Sequence, residues 1–154
     1  MASIEAKKLT FTSEIFHSNS NEETTFLGQK LAKECLSLPI TLAFFGDLGC
    51  GKTTFIKGFI SNRASLNIED INSPTFTYLN IYETKDHNIH HFDLYRINNT
   101  ETFYNMGFDE YLANGITLIE WAENIEKALP PNAIRIYLEH IDENKRKITI
   151  KRFV

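Results

Sequence analysis

Only two cysteines occur in these 154 residues, Cys35 and Cys50. They form neither a C-x-x-C pair nor a zinc-ligand spacing, so nothing points to a disulfide framework, and such usage fits a reducing cytosol. A chain of this length can bury enough surface to be stable without staples. Long apolar runs are missing as well: none approaches membrane-spanning length, and the N-terminus has no signal-peptide core, so a soluble cytoplasmic protein with no membrane partner is expected. An excess of positive charge is also absent. With 16 Lys+Arg against 20 Asp+Glu the formal net charge is -4, and that balance argues against a broad nucleic-acid-binding face. Lys145-Arg146-Lys147 with Lys151-Arg152 is the local exception, read here as a solvated edge strand. No repeat, low-complexity tract or linker interrupts the chain, and one domain over residues 1–154 is expected.

What the sequence does have is Gly46-Asp47-Leu48-Gly49-Cys50-Gly51-Lys52-Thr53, which reads G-x-x-x-x-G-K-T, followed by Thr54. This is the pattern of a phosphate-binding loop, and it carries weight only between a strand and a helix. Both flanks fit. Residues 40–45 form a short apolar run, and Phe55, Ile56, Phe59 and Ile60 repeat at helical spacing. Glycines let the backbone wrap phosphates with its N–H groups turned inward, and the helix N-terminus adds partial positive charge. Lys52 is placed to reach the β- and γ-phosphates, and the Thr53 hydroxyl to bind Mg²⁺. Cys50 lies inside the loop, where a helix N-terminus can lower a thiol pKa; a small residue that fits the loop is the plainer reading.

Around this centre the chain reads as α/β. An edge strand is expected over residues 9–15, and Ser20-Asn21-Glu22-Glu23 is a capping-box pattern that opens a helix to about Cys35, with Phe26, Leu27, Leu31 and Leu36 inward. The helix after Lys52 is expected to end near Asn62. Residues 75–82 and 89–95, separated by a turn-like break, read as an antiparallel hairpin, and short helices are expected over 101–106 and 109–113 about Gly107. Residues 116–120 read as a buried strand, 121–129 as a helix stopped by Pro130-Pro131, and 133–141 with 147–153 as a last hairpin. The sum is a domain with parallel strands at the centre and antiparallel strands at the edges.

A phosphate loop needs an acid at a strand end to hold Mg²⁺, directly or through water. Asp93 and Glu120 both end strands. On shape Glu120 ranks first, because its unbroken apolar run suits a central parallel strand, whereas Asp93 sits on an alternating one. Ser73-Pro74-Thr75-Phe76 follows a polar stretch and has the makings of a nucleotide-sensing switch loop; it also reads as a plain turn. His87, His90 and His91 do not make a zinc site, since neighbours on a strand face opposite ways and no cysteine joins them. Trp121, the one tryptophan, follows Glu120 and belongs either to the core or beside the nucleotide.

Together these blocks resemble the TsaE (YjeE) family, small bacterial P-loop ATPases needed to make the tRNA modification N6-threonylcarbamoyladenosine. The resemblance rests on residues 46–54, Ser73-Pro74-Thr75-Phe76, His91-Phe92-Asp93-Leu94-Tyr95-Arg96, Gly107-Phe108-Asp109-Glu110-Tyr111 and Leu118-Ile119-Glu120-Trp121, in the family's order. It implies a three-layer P-loop fold with a four-stranded parallel core, ATP with Mg²⁺, and TsaD-like and TsaB-like partners through which tRNA is reached indirectly. It further implies that the subunit hydrolyses ATP to keep that machine turning over and does not itself transfer the threonylcarbamoyl group. By position, Lys52 would bind phosphate and Thr53 the metal, Thr54 would lie beside the α-phosphate, and Trp121 near the nucleotide. Asp93 and Glu120 would organise Mg²⁺ and the attacking water, and residues 73–76 would form the switch-like loop. Cys50 departs from the family's usual small Ala or Ser.

Few other catalytic groups are evident, so weak hydrolysis alone and stimulation by partners are expected; Arg96 is the one arginine near a candidate acid. The alternatives are a small P-loop kinase, disfavoured by the lack of an arginine cluster between the loop and Trp121, and a nucleotide-dependent regulatory binding module. A GTPase is disfavoured because Asn144-Lys145-Arg146-Lys147 lacks the aspartate of N-K-x-D.

Overall fold

Strands whose residues are apolar without alternation need cover on both faces, and in the computed structural model, which describes residues 10–34 and 37–153, these strands lie innermost. β2 (Ile40–Phe45) and β5 (Ile116–Glu120) are parallel neighbours, with Ile40 opposite Ile116 and Phe44 opposite Glu120. β4 (Asn88–Asp93) runs parallel to β5 on its other side, and β6 (Ile134–His140) runs parallel to β2. This parallel core is extended antiparallel at both sides. β7 (Arg146–Phe153) pairs with β6 and β1 (Phe11–Ser18) with β7, while β3 (Leu79–Glu83) pairs with β4. The sheet has seven strands in the order β1-β7-β6-β2-β5-β4-β3.

Alternation along β2 splits the core in two. Leu42 and Phe44 face α1 (Asn21–Glu34) and α2 (Lys52–Ala64), packing with Leu31, Phe55 and Phe59. Ala43 and Phe45 face the other way, into an aromatic layer with Phe92, Phe103 and Ile125 beneath α3 (Thr100–Asn105) and its neighbouring 3-10 turns. Three layers result, as expected.

The two long helices touch backbone to backbone. A methyl at Gly28 would lie 2.1 Å from the Phe55 carbonyl oxygen, and one at Gly58 would lie 2.2 Å from that of Thr25. The buried face of α1 is therefore Thr24, Gly28, Leu31 and Ala32, and Phe26 points outward at 62 % exposure, against expectation. Small residues decide the contact here, so the largest apolar side chain is not on it. The expected cap forms at Ser20, whose Oγ accepts from Glu23 N–H at 3.1 Å; only the return bond is one residue out of step, with Glu23 Oε2 accepting from Asn19 N–H at 2.7 Å. Leu9, Cys35 and Leu36, called above, lie outside the described residues.

Three other expectations change. Residues 75–78 form a turn, and only β3 and β4 make the hairpin, with β4 an inner strand buried from Ile89 to Asp93. β7 is not an edge strand, because β1 covers it. The stretch after Trp121 is not a regular helix; it makes 3-10 turns over Ala122–Ala128, broken where Ile125 (φ -134°) turns fully into the core.

Candidate functional site

Parallel pairing brings the carboxyl ends of β2, β4 and β5 side by side, where open α/β sheets place their ligand crevices. The loop between β2 and α2 leaves one end, and the register sets Asp93 opposite Glu120 on the next two. Between them opens a cavity of about 460 Å³. Its floor is the loop from Leu48 to Gly51 with Lys52, Thr53 and Thr54; one wall carries Ser73, Thr75, Asp93, Glu120 and Trp121.

The loop needs glycine where the backbone turns back. Gly46 sits at φ +147°, where a methyl would lie 2.5 Å from the Leu138 carbonyl oxygen and 2.6 Å from Cys50 Sγ. Gly51, at φ +103°, starts α2 in a left-handed conformation that side chains resist. Lys52 is 5 % exposed. Its ammonium donates to the Gly46 carbonyl and, at 3.4 Å, to that of Asp47, and stands 3.8 Å over the Trp121 ring. The Trp121 backbone is left-handed (φ 61°), which turns the indole under the lysine and against Tyr95, 5.1 Å away.

The two acids have different surroundings. Glu120 is 3 % exposed and spends both oxygens: Thr53 Oγ1 donates to Oε1 at 2.6 Å, and His91 Nε2 donates to Oε2 at 2.8 Å. Burial alone would push its carboxyl up, but the bond and charge at His91, the Thr53 hydroxyl and Lys52 outweigh it and hold it below the usual range. Asp93 accepts from Tyr95 N–H at 3.1 Å and from Ser73 Oγ at 3.4 Å. Burial, with the Glu120 charge adding to it, pushes Asp93 up despite those donors. One carboxylate is held anionic and its neighbour made more basic.

The family model described as "Threonylcarbamoyl adenosine biosynthesis protein TsaE" matches residues 18–148. The chain belongs to the TsaE family. The TsaE protein of Rickettsia typhi is 41% identical over 134 residues, covering 87% of this chain and 92% of that protein. That of Bacillus subtilis is 36% identical over 130 residues, covering 84% and 80%. Among solved structures, Bacillus subtilis YdiB superposes with a TM-score of 0.76 at 29% identity, over 94% of this chain and 88% of that one. The blocks on which the TsaE resemblance rests, residues 46–121, fall inside the matched segment, and the parallel core with antiparallel flanks agrees with the fold expected of that family.

Of the residues singled out in the sequence, Lys52, Thr53, Thr54, Ser73, Thr75, Asp93, Glu120 and Trp121 meet at one cavity together with Leu48, Gly49, Cys50 and Gly51. Gly46 and Asp47 bear on it through their carbonyls and Lys52. Pro74 is buried and its carbonyl accepts from Tyr78 N–H at 3.0 Å, making the turn; Phe76 is 77 % exposed, with the Arg96 guanidinium 4.7 Å above its ring. Cys50 is buried against the Gly46 backbone, and burial pushes its thiol up, so the helix N-terminus does not activate it. The three histidines are dispersed: His87 in the β3–β4 turn with Thr84, His90 against Thr117 and Tyr111, and His91 on Glu120.

Sequence reasoning passed over Asn21, Tyr95 and Arg146, which also line the cavity. Arg146 opens β7, but its side chain is not simply solvated: its guanidinium donates to the Gly49 carbonyl at 3.3 Å. Nothing local in Lys145-Arg146-Lys147 marks the middle cation; its place at the start of β7, beside the loop, does. Elsewhere in the basic run, Lys147 lies 3.9 Å from Glu139 and Arg152 2.6 Å from Glu34, while Lys151 stands 5.1 Å over the Tyr137 ring. Among the described residues, no helix is long and apolar enough to cross a membrane.

Proposed function

We propose that this chain binds ATP with Mg²⁺ and hydrolyses it as the accessory subunit of tRNA N6-threonylcarbamoyladenosine synthesis, working in the cytoplasm with TsaD-like and TsaB-like proteins. The observation that carries the reading is the Thr53–Glu120 bond of 2.6 Å, which links the first turn after the phosphate loop to an anionic carboxylate at a strand end. Support comes from the names of its relatives, which are tRNA threonylcarbamoyladenosine biosynthesis proteins.

The donor set suits Mg²⁺. Thr53 Oγ1 and Glu120 Oε1 are hard oxygens side by side, and the Asp93 carboxyl, opposite Glu120 in register, adds a further oxygen donor. Mg²⁺ takes one or two protein oxygens and completes its shell with water and phosphate. Among the described residues no group of three His, Cys, Asp or Glu forms a dedicated metal cage. Bound there, the ion would neutralise phosphate charge.

In this reading the loop N–H groups and Lys52 hold the phosphates, and Thr54 borders the α-phosphate. Glu120 holds the metal's water shell, and the more basic Asp93 orients the attacking water. Thr75 and Ser73 would read the γ-phosphate as a switch loop does, and Asn21 and Arg146 also line the cavity, Arg146 against the Gly49 carbonyl of the phosphate loop. Among the described residues Arg146 is the one arginine lining the cavity; a small-molecule kinase needs arginines over its acceptor, so this placement counts against that alternative. The test is a fluorescence titration of Trp121 with MgATP and MgADP. Saturable quenching that Lys52→Ala weakens at least tenfold supports the reading. A signal unaffected by Lys52→Ala or by removal of Mg²⁺ contradicts it.

A further inference from the structure

His91 is wholly buried, and its ring makes a single polar contact, Nε2 to Glu120 Oε2 at 2.8 Å. The other ring nitrogen, Nδ1, is buried with no hydrogen-bond partner. For a side chain that only fills the core this is a poor choice, because an apolar ring of the same size fills the space without burying a bare nitrogen. What the imidazole adds is one directed N–H.

The register explains why that donor reaches Glu120 and not Asp93. On β4 and β5 the pairs are His91 with Leu118 and Asp93 with Glu120, so His91 and Glu120 are diagonal neighbours on one sheet face. Asp93, on the same face of the same strand, turns instead to Tyr95 N–H and Ser73 Oγ. Glu120 is thus held from both sides, with Thr53 on Oε1 and His91 on Oε2. Thr53 is on the loop side and would itself engage the metal, so only His91 fixes the carboxylate from the side of the sheet.

We infer that His91 is a positioning residue for hydrolysis: its Nε2–H locks Glu120 in the rotamer that presents Oε1 beside Thr53, without His91 touching nucleotide or metal. The inference rests on the proposed role of Glu120 in holding the metal's water shell. Carboxylates that serve a metal are ordinarily held in this way, and loss of the holding group costs about 10- to 100-fold in activity or metal affinity.

The test uses full-length wild type, His91→Phe, His91→Gln, His91→Asn and Glu120→Gln, each assayed for ATP turnover with the partner proteins and tRNA. Mg²⁺-dependent ADP binding by Trp121 fluorescence and thermal unfolding run beside it. The glutamine amide nitrogen reaches about as far as Nε2, whereas that of asparagine reaches only as far as Nδ1. His91→Phe and His91→Asn are expected to lose about tenfold or more in kcat. They should also need more Mg²⁺ for half-maximal ADP binding, with KM for ATP within about twofold of wild type. His91→Gln is expected to recover most of the loss. Wild-type kcat in His91→Phe, or equal losses in Gln and Asn that follow thermal stability, would overturn the inference. Full turnover in Glu120→Gln would instead overturn the role of Glu120, and the positioning role with it.

Discussion

Replacing Trp121 by alanine and by glycine separates two things that the wild-type residue combines. Its backbone is left-handed (φ 61°, ψ 41°), which costs a residue with a Cβ about 1–2 kcal/mol. Its indole returns part of that by packing under Lys52, 3.8 Å from the ring, and against Tyr95. The ring is half-buried, so its removal should cost roughly half of the 3–5 kcal/mol of a buried aromatic, about 2 kcal/mol. Trp121→Ala loses the packing and keeps the strain. Trp121→Gly loses the packing and the strain, offset by about 0.4–1 kcal/mol from the freer unfolded chain. Glycine should therefore be the more stable of the two by about 0.5–1 kcal/mol, a difference of about 1–4 °C in Tm for a chain of this size. Far-UV circular dichroism melts of both variants at neutral pH read this directly. An alanine variant as stable as the glycine one, or more so, would refute the reasoning, since it would mean that the junction of β5 with the following turn does not hold a left-handed residue.

Other consequences follow from particular contacts. Gly28→Ala places a methyl 2.1 Å from the Phe55 carbonyl oxygen, and overpacking of about 3 kcal/mol should outweigh alanine's helical gain of about 1 kcal/mol; a urea midpoint at or above wild type would contradict this packing of α1 on α2. Asp93 has a folded-state pKa above its usual 3.8, so ionising it costs more in the folded protein than in the unfolded one, and the penalty sets in as pH rises from about 4. Asp93→Asn should then be more stable than wild type at pH 7, with the gain vanishing below pH 4, even as turnover falls; thermal melts across that range check the sign. The opposite sign is expected at Glu120, whose lowered pKa gives stability at neutral pH that is lost as pH falls through its folded value.

The features legible in the sequence were those set by near neighbours in the chain. β2 and β5 coincide with the two unbroken apolar runs, and the loop between Phe45 and Lys52 is written in its glycines. The features that escaped depend on what packs from elsewhere. Phe26 faces outward because Gly28 and Gly58 let two backbones meet, a contact that no apolar periodicity announces. β4 alternates in composition, yet it is covered on both faces because histidines can be buried when one finds Thr117 and the other Glu120. For the same reason, ranking Asp93 below Glu120 on strand pattern misjudged its strand, while the register then set the two acids opposite each other. Arg146 joined the cavity because the start of β7 sets its guanidinium against the Gly49 carbonyl. At Trp121 a left-handed backbone, and at Ile125 a kink, replaced the helix that composition favours.

Whether this site would hydrolyse ATP in the service of partner proteins is read from the steady-state release of phosphate from MgATP. It should be measured for the chain alone, with TsaD-like and TsaB-like proteins, and with those proteins plus tRNA, using Lys52→Ala as the control. Slow release is expected from the chain alone, with stimulation of at least tenfold in the complex and loss of that stimulation in Lys52→Ala. Fast release that is indifferent to the partners, or stimulation that survives in Lys52→Ala, would contradict the proposed function.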